Sequence, residues 1–465
     1  MKGLLIAGDR SGSGKTSITL ALAALFSRSR AVQTFKVGMD YIDPSYLAGV
    51  TGRPCRNLDT FVMSREELQA IFSHGCRGAD LALVEGVRGL YEGAESLGDT
   101  GTSASVAKAL GLPVVLVVNA RSITRSAAAL VKGFCAFDPG LAIAGVIVNN
   151  VSGKRHIAKV VEAIEHYCGI PVVGAIPRME EMELSMRHLG LVPFREGQED
   201  GGFRERIERI TGMIGEHVDL DRLLSLAAPI EPGTAGDSLF RPRGMPDLRI
   251  GVAYDEAFNF YYADLFNLLP AWGARVVTYS PLRDRLPDAD GYIIGGGYPE
   301  LFLSRLVENE GLRDDTLRAS RQGVPIYAEC GGLMYLSGEM VLKAGWNGLE
   351  RDEHYPMCRV FEGKTVMPAK RVVSYVEGVS SSASPMGPAR FRGHEFHYSE
   401  VVLPPGTRYA YTLERGLGIT GSGDGAVSGM TIGSYTHLHP VSSAGMFRHF
   451  LDCCRGRAPG RRTNS

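Results

Sequence analysis

Cys330 stands between an apolar run, residues 324 to 328, and two glycines, Gly331 and Gly332. A buried strand, one cysteine at a sharp turn and a helix opening on glycine describe a nucleophile elbow with sulfur as the attacking atom. Ala328 and Gly332, two positions to either side, are small enough for such a turn, and a helix N-terminus beneath a thiol favours the thiolate. The chemistry then requires a base and a place for the oxyanion. Three glycines, 295 to 297, end the run that starts at Gly291, and the N–H groups of Gly296 and Gly297 are candidates for the oxyanion hole. His437, in the segment from Gly433 to Pro440, is the candidate base, with His439 two residues on. A lone histidine is usually structural, but this one follows the elbow in chain order and lies at a strand end.

A second chemistry opens the chain. Residues 8 to 16 read Gly-Asp-Arg-Ser-Gly-Ser-Gly-Lys-Thr, a phosphate loop whose first glycine, Gly8, stands one position earlier than the strict pattern, which would place it at Asp9. Backbone N–H groups from Ser11, Gly12, Ser13 and Gly14 to Thr16 can wrap a phosphate at a helix N-terminus. Lys15 would neutralise it, and the Thr16 hydroxyl can ligate Mg²⁺. Lys36, Asp40 and Asp43 follow the second apolar run and should face the phosphates, since ligands of open α/β sheets bind beyond the carboxyl ends of the strands; the plain alternative is a solvated turn with Asp capping a helix. Glu85 ends the run from Leu81 and is placed to hold Mg²⁺ directly or through water. Asn149 and Asn150 could read the adenine edge or merely cap the next turn.

These groups need a scaffold, and the 465 residues, 44% hydrophobic and 22% charged, are enough for two cores. Apolar runs at residues 3–7, 32–37, 81–84, 114–118, 144–148 and 172–176 alternate with amphipathic stretches, the pattern of strands buried on both faces of a parallel sheet. An α/β domain over residues 1–228 is expected, with a charged surface helix near 197–218. Residues 229–247 have the composition of a linker, and a second α/β pattern over 248–452 begins with runs at 248–253, 275–279, 291–294 and 324–328, then grows richer in strands. Residues 453–465 read as a frayed tail. A net charge of -1 offers no field for nucleic acid. The eight cysteines lack zinc or disulfide spacing, and neither a signal peptide nor a membrane span is visible, so a cytoplasmic protein is expected.

Taken together, the segments 328–333, 295–299, 393–399 and 434–439 resemble the class I glutamine amidotransferase domain of the cobyrinic acid synthase family, and residues 1–228 are similar to its dethiobiotin-synthetase-like ATP domain, through the phosphate loop and the segments 35–44 and 85–91. Within that family the chain resembles the a,c-diamide synthases of cobyrinate and of Ni-sirohydrochlorin. The resemblance implies ATP- and glutamine-dependent amidation of two acetate carboxylates of a metal tetrapyrrole, with ATP and Mg²⁺ as cofactors, L-glutamine as nitrogen donor, and a homodimer left open. It makes Cys330 the nucleophile, with His437 raising its nucleophilicity. Asp40, Asp43, Glu85 and Glu92 line the ATP and carboxylate site, with Tyr41 and Glu92 toward the acceptor. Met39 stands where the family often has Pro, and Glu92 where the cobalt enzymes usually carry Asp. His439 occupies the position of the usual third triad acid, as in a subgroup that lacks it. Two rival readings are an amidotransferase for another acceptor and a ParA/MinD-like ATPase switch, whose signature lysine would fall at Arg10 and which carries no glutaminase half.

Overall fold

In the computed structural model, residues 1–178, 201–231, 233, 237–242 and 244–456 are described. The chain divides into two compact units, Met1–Ser238 and Leu239–Ser465.

The first unit is built on β1 (Lys2–Gly8), β2 (Val32–Val37), β3 (Arg56–Leu58), β4 (Leu81–Gly89), β5 (Val114–Asn119), β6 (Ile143–Val151) and β7 (Val172–Pro177), joined in the order β3-β2-β4-β1-β5-β6-β7. Every pairing along this path is parallel. The reason lies in composition: Leu4, Leu5 and Ile6 are all fully buried, as are Leu83 and Val84, so both faces of each strand must be covered, as crossover helices do. Six helices make those crossovers: α1 (Lys15–Ser27), α2 (Ile42–Thr51), α3 (Arg65–Cys76), α4 (Ser103–Leu110), α5 (Arg125–Phe137) and α6 (Gly153–Cys168). α7 (Gly201–His217) and α8 (Leu220–Leu226) follow, so the expected charged helix is present from Gly201, and the start foreseen at 197–200 lies outside the described residues.

The span read as a linker carries structure at both ends. Ala228 and Pro229 form β8, antiparallel to Lys2 and Gly3 at the start of β1, and a short helix, α9, covers Asp237–Phe240. The division between the units falls inside this span; residues 232, 234–236 and 243 lie outside the described set.

The second unit holds a 10-stranded mixed sheet in the order β10-β9-β11-β12-β21-β20-β19-β16-β17-β22. Its parallel part is β9 (Leu248–Ala253), β10 (Ala274–Tyr279), β11 (Gly291–Ile294), β12 (Ile326–Glu329) and β21 (Thr431–Ser434). The antiparallel part adds β16 (Val372–Ser380), β17 (Ala389–His397), β19 (Arg408–Arg415), β20 (Gly423–Ser428) and β22 (His437–Leu438). A separate four-stranded sheet comprises β13 (Glu339–Leu342), β14 (Glu353–Pro356), β15 (Lys364–Met367) and β18 (Glu400–Val402). The helices are α10 (Ala263–Ala271), α11 (Leu303–Glu308), α12 (Glu310–Arg321), α13 (Gly331–Leu336) and α14 (Ala444–Arg455).

α14 corrects the expected tail. Its last turn is packed: Cys454 is fully buried, and Arg455 bonds Asp247 and the Trp272 carbonyl, at 2.7 Å for the latter. A fully buried thiol and a hydrogen-bonded guanidinium fix residues 453–455 in place, and residues 457–465 lie outside the described set.

Candidate active site

The phosphate loop joins β1 to α1. Gly8 takes the role of the first glycine because a Cβ there would come within 2.3 Å of Ser13 Oγ and 2.9 Å of the Arg10 carbonyl. Gly14 is left-handed, with φ 92°, and α1 begins on it without any side-chain cap. α3 shows the contrast, since Ser64 and Glu67 close its N-terminus in a capping box. The open N-terminus of α1 leaves first-turn N–H groups for an anion. Ser11 and Gly12 are exposed at the crest, while Ser13 is buried with its hydroxyl facing inward.

Behind the loop stands a cluster of opposite charges. Lys36 Nζ lies 2.5 Å from Asp43, 2.7 Å from Glu85 Oε1 and 3.9 Å from Asp40. Thr16 Oγ1 donates to the same Glu85 oxygen at 2.5 Å. The ammonium expected to meet phosphate is therefore held by three carboxylates, and their attraction outweighs burial and raises its pKa. Lys36 and Lys15 thus differ in kind: Lys15 sits at the loop, and burial, then the charge of Lys36, lowers its pKa. Burial also raises Glu85. Asp43 is lowered because Lys36 overcomes the cost of burial. Burial and the neighbouring Asp43 raise Asp40 to about 7. Asp40 accepts the Ile42 N–H at 2.8 Å at the start of α2 and faces Lys36 as well.

A divalent cation fits this cluster. Glu85 Oε2 is buried and has no hydrogen-bond partner among the described residues, and it belongs to the carboxylate whose other oxygen meets the Thr16 hydroxyl. An orphaned carboxylate oxygen beside a hydroxyl is the oxygen-donor chemistry that magnesium takes.

Three other groups occupy different ground. Asn149 is buried beneath the loop, donating Nδ2 to the Ser13 carbonyl at 2.9 Å and accepting the Asn150 N–H at 2.9 Å. Its amide bonds backbone on both sides, in keeping with the alternative of a turn cap. Glu92 accepts the Gly89 N–H at 3.1 Å and so closes its own loop beside the P-loop strand, where Gly89 pairs with Gly8. Tyr41 is half-buried at the N-cap of α2.

In the second unit the elbow is formed as its sequence requires. Cys330 has φ 46° and ψ −100°, a strained geometry for a non-glycine residue, locked by its N–H to the Ser434 carbonyl at 2.7 Å. A Cβ at Gly332 would lie 2.2 Å from the Ile294 carbonyl. The following helix, α13, is only six residues long. Cys330 Sγ lies 3.6 Å from the Phe396 carbonyl. Gly297 lies against the elbow, its N within 3.1 Å of where a Cβ of Gly331 would stand, and a Cβ at Gly296 would reach His437 Cε1 at 2.8 Å. The two candidate oxyanion glycines, the thiol turn and the base are thus brought together.

His437 is buried on β22, and its Nδ1 lies 3.1 Å from Glu329 Oε2. Glu329 Oε1 accepts from Tyr327 Oη and, at 2.9 Å, from the Leu438 N–H. The base therefore has a carboxylate partner from the residue just before the nucleophile, which corrects the expectation of a pair without an acid. Burial alone would lower His437, but Cys330 and Glu329 raise it to about 10. His439 points elsewhere, 3.6 Å from the buried Asp264. Sequence reasoning missed Glu329, although an acid closing the strand Ile-Tyr-Ala-Glu is a signal, since a buried charge demands a partner.

Comparison with known proteins follows the same two units. The CobB/CobQ-like glutamine amidotransferase domain matches residues 249–444, and the CobQ/CobB/MinD/ParA nucleotide binding domain matches residues 4–192. The chain is 50% identical over 459 residues to a cobyrinate a,c-diamide synthase of Methanosarcina acetivorans, covering 94% of this chain and 92% of the relative. It is 42% identical over 448 residues to one of Methanothermobacter thermautotrophicus, covering 94% and 96%, and 39% identical over 458 residues to one of Listeria monocytogenes, covering 97% and 99%.

Proposed function

Because the chain belongs to the cobyrinate a,c-diamide synthase family, whose members are glutamine-dependent amide ligases, we propose that it amidates the a and c acetates of cobyrinate in two coupled chemistries, one in each unit. The observation that carries the reading is the Glu329–His437 contact at 3.1 Å beside the strained Cys330, set on the same chain as an uncapped phosphate loop.

In the glutaminase unit, Glu329 orients His437, which holds the proton taken from Cys330. The thiolate attacks the glutamine amide carbon, and Gly296 and Gly297 offer N–H groups to the oxyanion. His437 returns the proton to the leaving nitrogen. Ammonia departs, and water hydrolyses the thioester to glutamate.

In the synthetase unit, a free carboxylate does not condense with ammonia because its oxygen is a poor leaving group. Lys15 and the N–H groups of the loop would bind the β- and γ-phosphates of ATP as an acetate of the acceptor attacks the γ-phosphorus, releasing ADP and leaving an acyl phosphate. Thr16 and Glu85 would hold magnesium, which supplies neutralisation of the phosphate charge. Lys36 favours the ionised forms of Asp43 and Glu85 and holds both in place, and Asp40, poised at about 7, can take a proton from ammonia as it displaces phosphate. Glu92 and Tyr41 are assigned to the acceptor side of this site.

The test is a substrate panel with the Cys330→Ala and Lys15→Ala proteins. Cys330→Ala should lose glutamine-driven diamide formation and keep the ammonia-driven reaction with ATP; Lys15→Ala should lose both. Ni-sirohydrochlorin belongs in the panel, since Glu92 stands where the cobalt enzymes usually carry Asp; turnover of it in preference to cobyrinate would move the proposed acceptor from the cobalamin to the coenzyme F430 macrocycle. ATP turnover without either tetrapyrrole or glutamine would favour a switch ATPase instead.

A further inference from the structure

His394 opens the stretch His394-Glu-Phe-His-Tyr-Ser399, and no step above uses it. Its backbone pairs with His437 across β17 and β22, and the two imidazoles are stacked, with centroids 4.9 Å apart and planes 20° from parallel. Both rings are buried. Tyr262 Oη bonds His394 Nδ1 at 3.2 Å, and the Tyr262 ring also lies 4.5 Å from that of His439.

We propose that His394 is a positioning residue for the catalytic base, a flat wall fixed by Tyr262 that sets the tilt of the His437 ring. The argument is geometric and rests on the reading of Cys330 and His437 as the glutaminase pair. Glu329 restrains His437 at one nitrogen, and the neighbouring Cys330 raises its proton affinity. Both contacts lie at the edge of the ring and leave its faces to be packed. The Cε1 edge faces Gly296, where no side chain exists to stop it. A ring pressed against its face limits its tilt, and His394 supplies one. The groups facing the pair are Glu329, Cys330, Tyr262 and His439, the last beside Asp264. Burial first, then the charges of His437 and His439, hold His394 far below its ordinary pKa, so the wall is neutral and adds no repulsion to a protonated base.

The experiment measures three things on His394→Ala, His394→Phe and Tyr262→Phe: glutamine-driven and ammonia-driven amidation of cobyrinate, and the pH profile of Cys330 alkylation by iodoacetamide. His394→Ala should lower glutamine-driven kcat by about 10- to 100-fold, the scale of a misplaced catalytic group, with a smaller change in KM for glutamine. Its alkylation profile should move to higher pH, while ammonia-driven turnover stays at the wild-type rate. His394→Phe, which restores a flat ring, should recover most of the loss. Wild-type glutamine turnover and alkylation in His394→Ala would overturn the proposal, as would a His394→Phe protein no better than His394→Ala. Should His394→Ala fail to fold, Tyr262→Phe decides: a several-fold loss of the glutamine reaction alone supports the wall, and an unchanged profile overturns it. Glutamine-driven product from Cys330→Ala would instead overturn the glutaminase reading itself, whatever His394 does.

Discussion

Glu329 and His437 lie 108 residues apart in the chain and 3.1 Å apart in the fold. β12 and β21 run parallel with Glu329 opposite Ser434, so the carboxylate reaches across to the segment that follows β21. The residue that precedes the nucleophile thereby serves the base, and one strand end presents both.

Glu329→Gln keeps the shape and removes the charge that orients His437. Glutamine-driven amidation should fall by about 10²- to 10⁴-fold, the range that general acid–base catalysis contributes. Ammonia-driven amidation should be unchanged. Parallel steady-state assays with the two nitrogen donors check this.

The pH dependence of the glutamine reaction follows from His437, raised to about 10 by Cys330 and Glu329 against the effect of burial. A raised histidine contributes stability that is complete below its unfolded value, roughly 6.5, and that is lost as pH rises through about 10. Glutamine hydrolysis should fall only as pH passes through that upper value, and Glu329→Gln should move the falling limb to lower pH. A pH–rate profile of both proteins measures the shift.

Asp40 has the same sign in a lower pH window. Burial and Asp43 raise it to about 7, so its protonated form is favoured in the folded chain, and its contribution to stability is lost as pH rises from its ordinary value, roughly 3.9, toward 7. Asp40→Asn should flatten the fall in Tm over that window and erase an ionisation near 7 from the ammonia-driven rate. Thermal melts and rate profiles across the window test both.

Asn149→Ala removes the bond to the Ser13 carbonyl. Loss of one such buried bond costs on the order of 1–3 kcal/mol, and KM for ATP should rise by roughly 5- to 100-fold while Cys330 alkylation is unaffected. A prop under the loop weakens ATP and GTP alike, whereas an adenine reader would lose the preference between them, so the two nucleotides are assayed side by side.

The strands were legible because continuous apolar runs can form only fully covered strands, and the runs at 3–7, 32–37 and 291–294 fall on β1, β2 and β11. Cys330 was legible from its small neighbours, and the phosphate loop from glycines and a lysine ahead of a helix. What escaped depended on partners far away in sequence. Glu329 acquires its role only through the segment 108 residues later. Asn149 looked free because its acceptor, Ser13, lies 136 residues earlier. The carboxylate partners of Lys36 escaped because nothing local reveals that Glu85 and Asp43 converge on it. The last turn of α14 reads as polar tail, and its order comes from Asp247 and Trp272.

The long interval between elbow and base has a consequence for synthesis of the protein on the ribosome. At about 5–20 residues per second, roughly 5–20 s separate emergence of Glu329 and Cys330 from emergence of His437. Through that interval the nascent chain carries Cys330 and Glu329 without His437, while β21 and β22, which pair with β12 and β17, are still unmade. Under the proposed mechanism, a chain stalled in that interval lacks His437 and cannot drain the glutamine pool.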